Sequence, residues 1–214
     1  MKLELETYMP SEAEGITEVS QATVRNWRRA GYLPRPKGHA RYTIADLLFQ
    51  VAMRAQVARG VTPEAAAKYS GDIARAMFHS MIWSEKAYSE ETYALALATV
   101  EIPAARVDRL KEAMGDQFNL ATMERLTALG NIAEVAERTF VLAGLKSSNW
   151  LIIWANGELE FYYDGDDFED RFFGETVYDE YVQGPVILFC LGAMAKMVLD
   201  RLPRAAIRLA PEAQ

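Results

Sequence analysis

The chain has one cysteine, Cys190, and two histidines, His39 and His79, among 214 residues. A lone thiol builds no disulfide framework and supplies no paired thiolates, which sets aside metal and redox sensing. In the middle of an apolar stretch, Cys190 reads as a small core hydrophobe. Two isolated histidines, with no HExxH, GxSxG, P-loop or glycine-rich dinucleotide signature, offer no catalytic constellation, so no enzyme is expected. No cofactor or metal is implied either. Asp164, Asp166 and Asp167 lack the DxDxDG order and the twelfth-position glutamate of a calcium loop. The longest apolar run, PVILFCLGAMA, is far too short to span a membrane, and the N-terminus is not a basic-led apolar leader. The expectation is a cytoplasmic protein without a membrane partner.

Half of the chain is hydrophobic and a quarter charged, an ordinary soluble composition that can bury a core. The net charge of −7 argues against nucleic acid only as an average. Residues 20–60 hold eight basic side chains, at 25, 28, 29, 35, 37, 41, 54 and 59, against Asp46 alone, so this segment carries +7 and the remainder −14. A basic module on an acidic body suits phosphate binding confined to one face.

Within that segment, Ser20 can cap a helix whose next nine residues turn Arg25, Arg28 and Arg29 outward and Val24 and Trp27 into a core. Gly31 stops it. Pro34, Pro36 and Gly38 cannot continue a helix, yet the stretch carries Arg35, Lys37, His39 and Arg41 before Tyr42, as expected of a hairpin or loop leaning on a phosphate backbone. Thr43 and Asp46 then form a capping box.

The residues Ser20, Thr23, Arg25 and Trp27, the run GYLP at 31–34, and Arg41, Tyr42, Asp46 and Leu47 resemble the winged helix-turn-helix of MerR-type transcription regulators, over roughly residues 8–82. Tyr8 and Glu12 stand at the right distance upstream for that family's first helix. The sequence departs from the family at Pro10, Ala13, Glu14 and Glu18, the last where a glycine is usual. It departs again at Asn26, for an aromatic, and at Arg28, for an acid, which suggests a different target sequence. The resemblance implies double-stranded DNA as partner. Arg25 and Asn26 would reach base edges, Ser20, Thr23, Arg28 and Arg29 would supply phosphate or further base contacts, and Lys37, His39, Arg41 and Tyr42 would form the wing.

Before this module, residues 1–9 are polar, with a weak Leu3, Leu5 alternation. Ser11 and Glu14 after Pro10 predict a short helix to about Ile16. Leu47, Leu48, Val51, Ala52 and Ala55 predict a third helix packed on Val24 and Trp27 and ended by Gly60. Thr62-Pro63 opens a fourth, to Ile82 or Trp83, with Arg54, Lys68 and Arg75 as further phosphate candidates. Helices over 89–100 and 103–115 follow. From Asp116 two apolar rows run together, Leu126, Leu129, Ala133, Ala136 and Phe140 beside Ile132, Val135 and Leu142. They make either a core helix or a dimer seam. MerR-like proteins pair through a long helix after the DNA-binding domain, and a homodimer held by residues 104–146 is the expectation.

From Trp150 the texture becomes β, with Asn156-Gly157 as a hairpin turn between Trp150–Ala155 and Leu159–Tyr163. Ten aromatics and ten carboxylates face one arginine between Trp150 and Tyr181. Either this is a sheet face with solvated acids, or Trp150, Trp154, Phe161, Tyr163 and Tyr178 line a site for a small organic effector, a cation by its chemistry. The segment 185–202 is a buried helix or a strand turning into one, and the tail after Pro203 frays or adds an edge strand over 206–209. The fold class expected is α+β, mostly α. Its parts are a winged helix-turn-helix over 1–83, a helical dimerisation region over 84–146, and a C-terminal hairpin and helix domain over 147–214 that senses an effector or docks a protein. The function expected is a sequence-specific regulator bound as a dimer to an inverted repeat. The alternative is a phage-type architectural or packaging adaptor.

Overall fold

The computed structural model describes residues 1–34, 41–140, 148–163 and 184–211. Its order is β1 (Leu3–Leu5), β2 (Thr7–Tyr8), α1 (Pro10–Thr17), α2 (Gln21–Arg29), β3 (Tyr42–Thr43), α3 (Ile44–Val57), α4 (Pro63–Met81), α5 (Glu90–Ala98), α6 (Ala104–Met114), α7 (Leu120–Thr139), β4 (Ser148–Ile153), β5 (Leu159–Tyr163), β6 (Ile187–Cys190), α8 (Leu191–Arg201) and β7 (Ile207–Leu209). The protein is α+β and mostly α, as expected.

Local chemistry sets most boundaries. The Ser20, Thr43, Thr62, Ser89 and Asn119 side chains each accept the N–H three residues on, starting α2, α3, α4, α5 and α7. α1 starts two residues earlier than the Ser11–Glu14 box predicts. Pro10, with no N–H to satisfy, takes the first helical position, and the Glu12 carboxylate accepts the Met9 N–H at 2.7 Å. Asp116 does not begin α7 either, since residues 115–117 form a 3-10 turn ahead of Asn119.

Three small sheets tie distant parts of the chain together. β2 pairs antiparallel with β3, joining Tyr8 to Tyr42 and so the start of α1 to the start of α3. β1 pairs antiparallel with β7, Leu5 opposite Ile207, so the edge strand that 206–209 offered is formed over residues 207–209. β4 lies between β5 and β6, both antiparallel, with Gly157 at φ 86° in the turn. The 185–202 stretch is a strand running directly into a helix.

One apolar core runs through Ile16, Leu47, Leu48, Ile73, Met77, Ile132, Leu151, Val198 and Ile207, and so does not stop at residue 83. A smaller cluster, Val19, Val24, Trp27, Leu33 and Met53, fixes α2. Val24 and Trp27 therefore meet α3 through Met53, with Phe49 and Val57 at the edge, and not through Leu47, Leu48, Val51 and Ala52. That row faces α4 and the main core instead. In α7, Ala128, Ile132, Ala133 and Ala136 are buried within the same chain, with Leu129, Val135 and Phe140 packed against them, so most of the described part of the two apolar rows serves this chain's own core; Leu142 lies outside the described residues. Leu126, at 59% exposed, is left out of it. α6 buries no residue.

Candidate nucleic-acid interface

α2 is a nine-residue helix with sharp ends. Ser20 Oγ accepts the Thr23 N–H at 3.1 Å and lies 2.9 Å from Thr23 Oγ1, which holds Thr23 half-buried at the first turn. Gly31, at φ 85°, reverses the chain, and Tyr32 N–H closes on the Trp27 carbonyl at 2.9 Å. Val24 and Trp27 are buried on one side, while Arg25, Asn26 and Arg29 are exposed on the other, as their spacing predicts.

Arg28 differs from that expectation. It folds back onto β3, its Nη2 donating to the Tyr42 hydroxyl at 2.9 Å and its guanidinium carbon 5.1 Å from the Tyr42 ring centre. Tyr42 is itself buried, at 6% exposed, so its ring belongs to the core and cannot lie on a groove. The pair joins α2 to the strand that follows residues 35–40. Arg41 is exposed beside it. Arg35, Lys37 and His39 lie outside the described residues.

The turn between α1 and α2 carries Glu18 in the left-handed region, φ 53° and ψ 28°, the one non-glycine residue with positive φ among those described. Such a conformation costs an L-residue about 1–2 kcal/mol. Two arginines hold it in place. Arg54 Nη1 lies 2.5 Å and Arg201 Nη2 2.8 Å from the Glu18 carboxylate, and both guanidinium groups also donate to the turn's carbonyls, Arg54 to Thr17 and Arg201 to Ile16. Against desolvation that would raise it, these bonds keep the Glu18 carboxyl below its ordinary range. Arg54 is thus committed to the turn and is not a free phosphate contact, and Arg59 leans over the Phe189 ring. Lys68 and Arg75 are exposed on α4.

Arg201 belongs to α8, and the chain just beyond it holds α1 as well. Arg204 pairs with Glu12 at 2.6 Å, donates to the Thr7 carbonyl at 2.5 Å and lies 4.8 Å over the Tyr8 ring, while Tyr8 Oη donates back to the Arg204 carbonyl at 3.2 Å. The Arg204 hydrogen bond, followed by the Met9 N–H, holds the Glu12 carboxyl down at about 2 from an ordinary 4.5. A group depressed in the folded state stabilises the fold fully above its ordinary value and loses that contribution as pH falls through the folded one. Melting temperature is therefore expected to drop between about pH 4.5 and 2, and Glu12→Gln, which keeps an acceptor but does not titrate, should show a shallower drop. Equal slopes for the two proteins over that window would contradict this role for Glu12.

Of the residues proposed for an effector, the described ones are not gathered in one place. Trp154, with its Nε1 donating to Glu160 at 2.9 Å, packs with Ile152 and Tyr162 on one face of the sheet, and Trp150 is half-exposed on that side. Phe161, opposite Leu151, packs on the main core from the other face. Tyr178 and the Tyr163 side chain lie outside the described residues. Among the described residues no cluster of three or more His, Cys, Asp or Glu could hold a metal, and no helix is long and apolar enough to cross a membrane.

Residues 8–71 match the family described as MerR HTH family regulatory protein, and the match spans α1, α2, β3, α3 and the first half of α4. Neither a curated protein nor a solved structure matches the chain.

Proposed function

We propose that this chain, whose N-terminal segment is a DNA-binding helix-turn-helix of the MerR regulator type, is a sequence-specific transcription regulator that lays α2 in the major groove. The observation that carries the reading is the face of α2 opposite Val24 and Trp27, where Arg25, Asn26 and Arg29 stand exposed together. Arg25 pairs with guanine and Asn26 with adenine by donor and acceptor geometry. Arg29, Ser20 and Thr23 reach phosphates. Arg28 acts through Tyr42 to set the angle between α2 and the wing at 34–42, whose Lys37 and His39 join Arg41 on the backbone. Residues 1–83 are the reading unit, 84–146 the pairing region and 147–214 the part that receives a signal. Pairing on an inverted repeat is supported by the exposed Met114, Leu120 and Leu126 in the middle region, since one small module seldom binds tightly alone.

Selection of bound genomic fragments followed by footprinting tests the reading. A regulator protects one inverted repeat at a promoter, whereas continuous arrays, or protection only with a second protein, would favour the adaptor. On the selected site, Arg25→Ala is expected to cost about 1–3 kcal/mol and to change random DNA little. Arg41→Ala should weaken both alike and lower the salt slope by about one unit. Binding isotherms at two salt concentrations separate the two roles.

A further inference from the structure

Behind the reading helix, between its C-terminal end, β3, α3 and α4, is a cavity of about 550 Å³, within the size range of small-molecule sites. Its walls are largely apolar, Leu33, Phe49, Ala74 and Phe78 among them. Two lining residues carry polar groups without a partner. Gln50 is 1% exposed and its side chain makes no hydrogen bond among the described residues, and the Nε of Arg28 is buried with none. Native proteins rarely leave such groups unsatisfied, because a buried unpaired donor costs about 1–3 kcal/mol. Arg41 and Arg75 stand at the rim. The one carboxylate nearby, Asp46, already accepts the Thr43 N–H and hydroxyl at 2.8 Å each. The cavity is therefore apolar in body, lined by three arginines, and short of a carboxylate to pair with them.

From this combination we propose that the cavity binds a small aromatic carboxylate, its carboxylate oxygens accepting from the Arg28 guanidinium and the Gln50 amide and its ring resting against Phe49 and Phe78. Inorganic phosphate would satisfy the donors but leave the apolar walls wet, and a neutral hydrocarbon would fill the walls but leave the donors unpaired. Occupancy bears on DNA binding because Arg28 is the same side chain that joins α2 to Tyr42. A ligand that prefers one setting of that pair shifts affinity for DNA, and DNA shifts affinity for the ligand by the same factor. This second step rests on the regulator reading above, whereas binding of the carboxylate does not.

The test uses the full chain with 4-(trifluoromethyl)phenylacetate as probe, followed by fluorine NMR, and with the corresponding amide as its neutral counterpart. Saturable binding of the acid is expected, with the amide weaker by about tenfold or more, the equivalent of one charge-assisted hydrogen bond. Inorganic phosphate at equal concentration should not compete. Gln50→Leu, similar in volume, should weaken the acid by a similar factor without lowering the melting temperature, because it removes an unsatisfied amide. Arg75→Gln, at the exposed rim, should weaken it severalfold with the core untouched. No saturable binding, equal binding of acid and amide, displacement by phosphate, or indifference to both substitutions would each overturn the site. If the acid binds but selected DNA is held equally with and without it, the coupling to Arg28 fails and the site stands. If the acid binds and the chain holds no DNA, the regulator reading is what fails.

Discussion

Trp27→Ala is expected to abolish DNA binding and to lower the melting temperature by about 6–20 °C, the equivalent for a chain of this size of the roughly 3–5 kcal/mol that truncating a buried aromatic removes. Trp27 is 7% exposed and stands at the centre of the small cluster with Val19, Val24, Leu33 and Met53. This cluster is all that fastens α2 from the inside, since Arg25, Asn26 and Arg29 point away and Arg28 holds only from the edge. The cluster is also separate from the main core, so the loss should be local: far-ultraviolet dichroism keeps most of its helix signal while amides of α2 and of residues 30–33 lose protection against hydrogen exchange. A variant that melts like the parent and merely relaxes its sequence preference would reverse the assignment of inside and outside on α2, and the list of DNA contacts would go with it.

Deleting residues 204–214 is expected to damage the DNA-binding module although every proposed contact lies between residues 20 and 42. Ala206 and Ile207 are fully buried, and Ile207 sits in the same core as Leu3, Tyr8 and Ile16. Loss of one such isoleucine alone costs about 2–5 kcal/mol. The deletion also removes the partner of β1 and the Arg204 bonds to Glu12 and the Thr7 carbonyl. Against a total stability of about 5–15 kcal/mol, the shortened chain should be largely unfolded or melt more than 10 °C lower. The isolated fragment 1–83 lacks the same strand, and Arg201 besides, and should fare worse. Circular dichroism melts of both fragments decide this. A 1–203 chain with the melting temperature of the full protein would show that β7 and Arg204 are not structural, and a 1–83 fragment that folds would make residue 83 a folding boundary as well.

Much of the candidate interface was legible in the sequence because it is built from short-range chemistry. A Ser20 side chain reaches a backbone N–H only three residues away, Gly31 ends the helix where it stands, and the phase of Val24 and Trp27 against Arg25, Asn26 and Arg29 follows from 3.6 residues per turn. The same holds for the capping box at Thr43 and for the hairpin around Asn156-Gly157. Apolar periodicity also marked α4 and α7, but it could not name what they pack on. Either a second chain or this chain's own β1 and α5 satisfies the stripe of Ile132, Ala133 and Ala136, because burial is non-directional.

What tertiary structure alone decided is which charges remain available. By sequence, Arg28, Arg54 and Arg59 belong to the basic segment as fully as Arg25 does. In the fold Arg28 is drawn onto Tyr42 and Arg54 onto Glu18, while Arg59, still exposed, leans over Phe189; Arg25, Arg29 and Arg41 are the other exposed cations of the described part of that segment. Glu18 shows the reason most plainly. Its departure from the usual glycine is visible in one letter, yet the side chain that makes it tolerable is Arg201, far along the chain and brought near only when α8 packs on α1 and α4. A cap or a turn is closed by neighbours in sequence and can be read there, whereas an ion pair across the core depends on where every intervening element has gone.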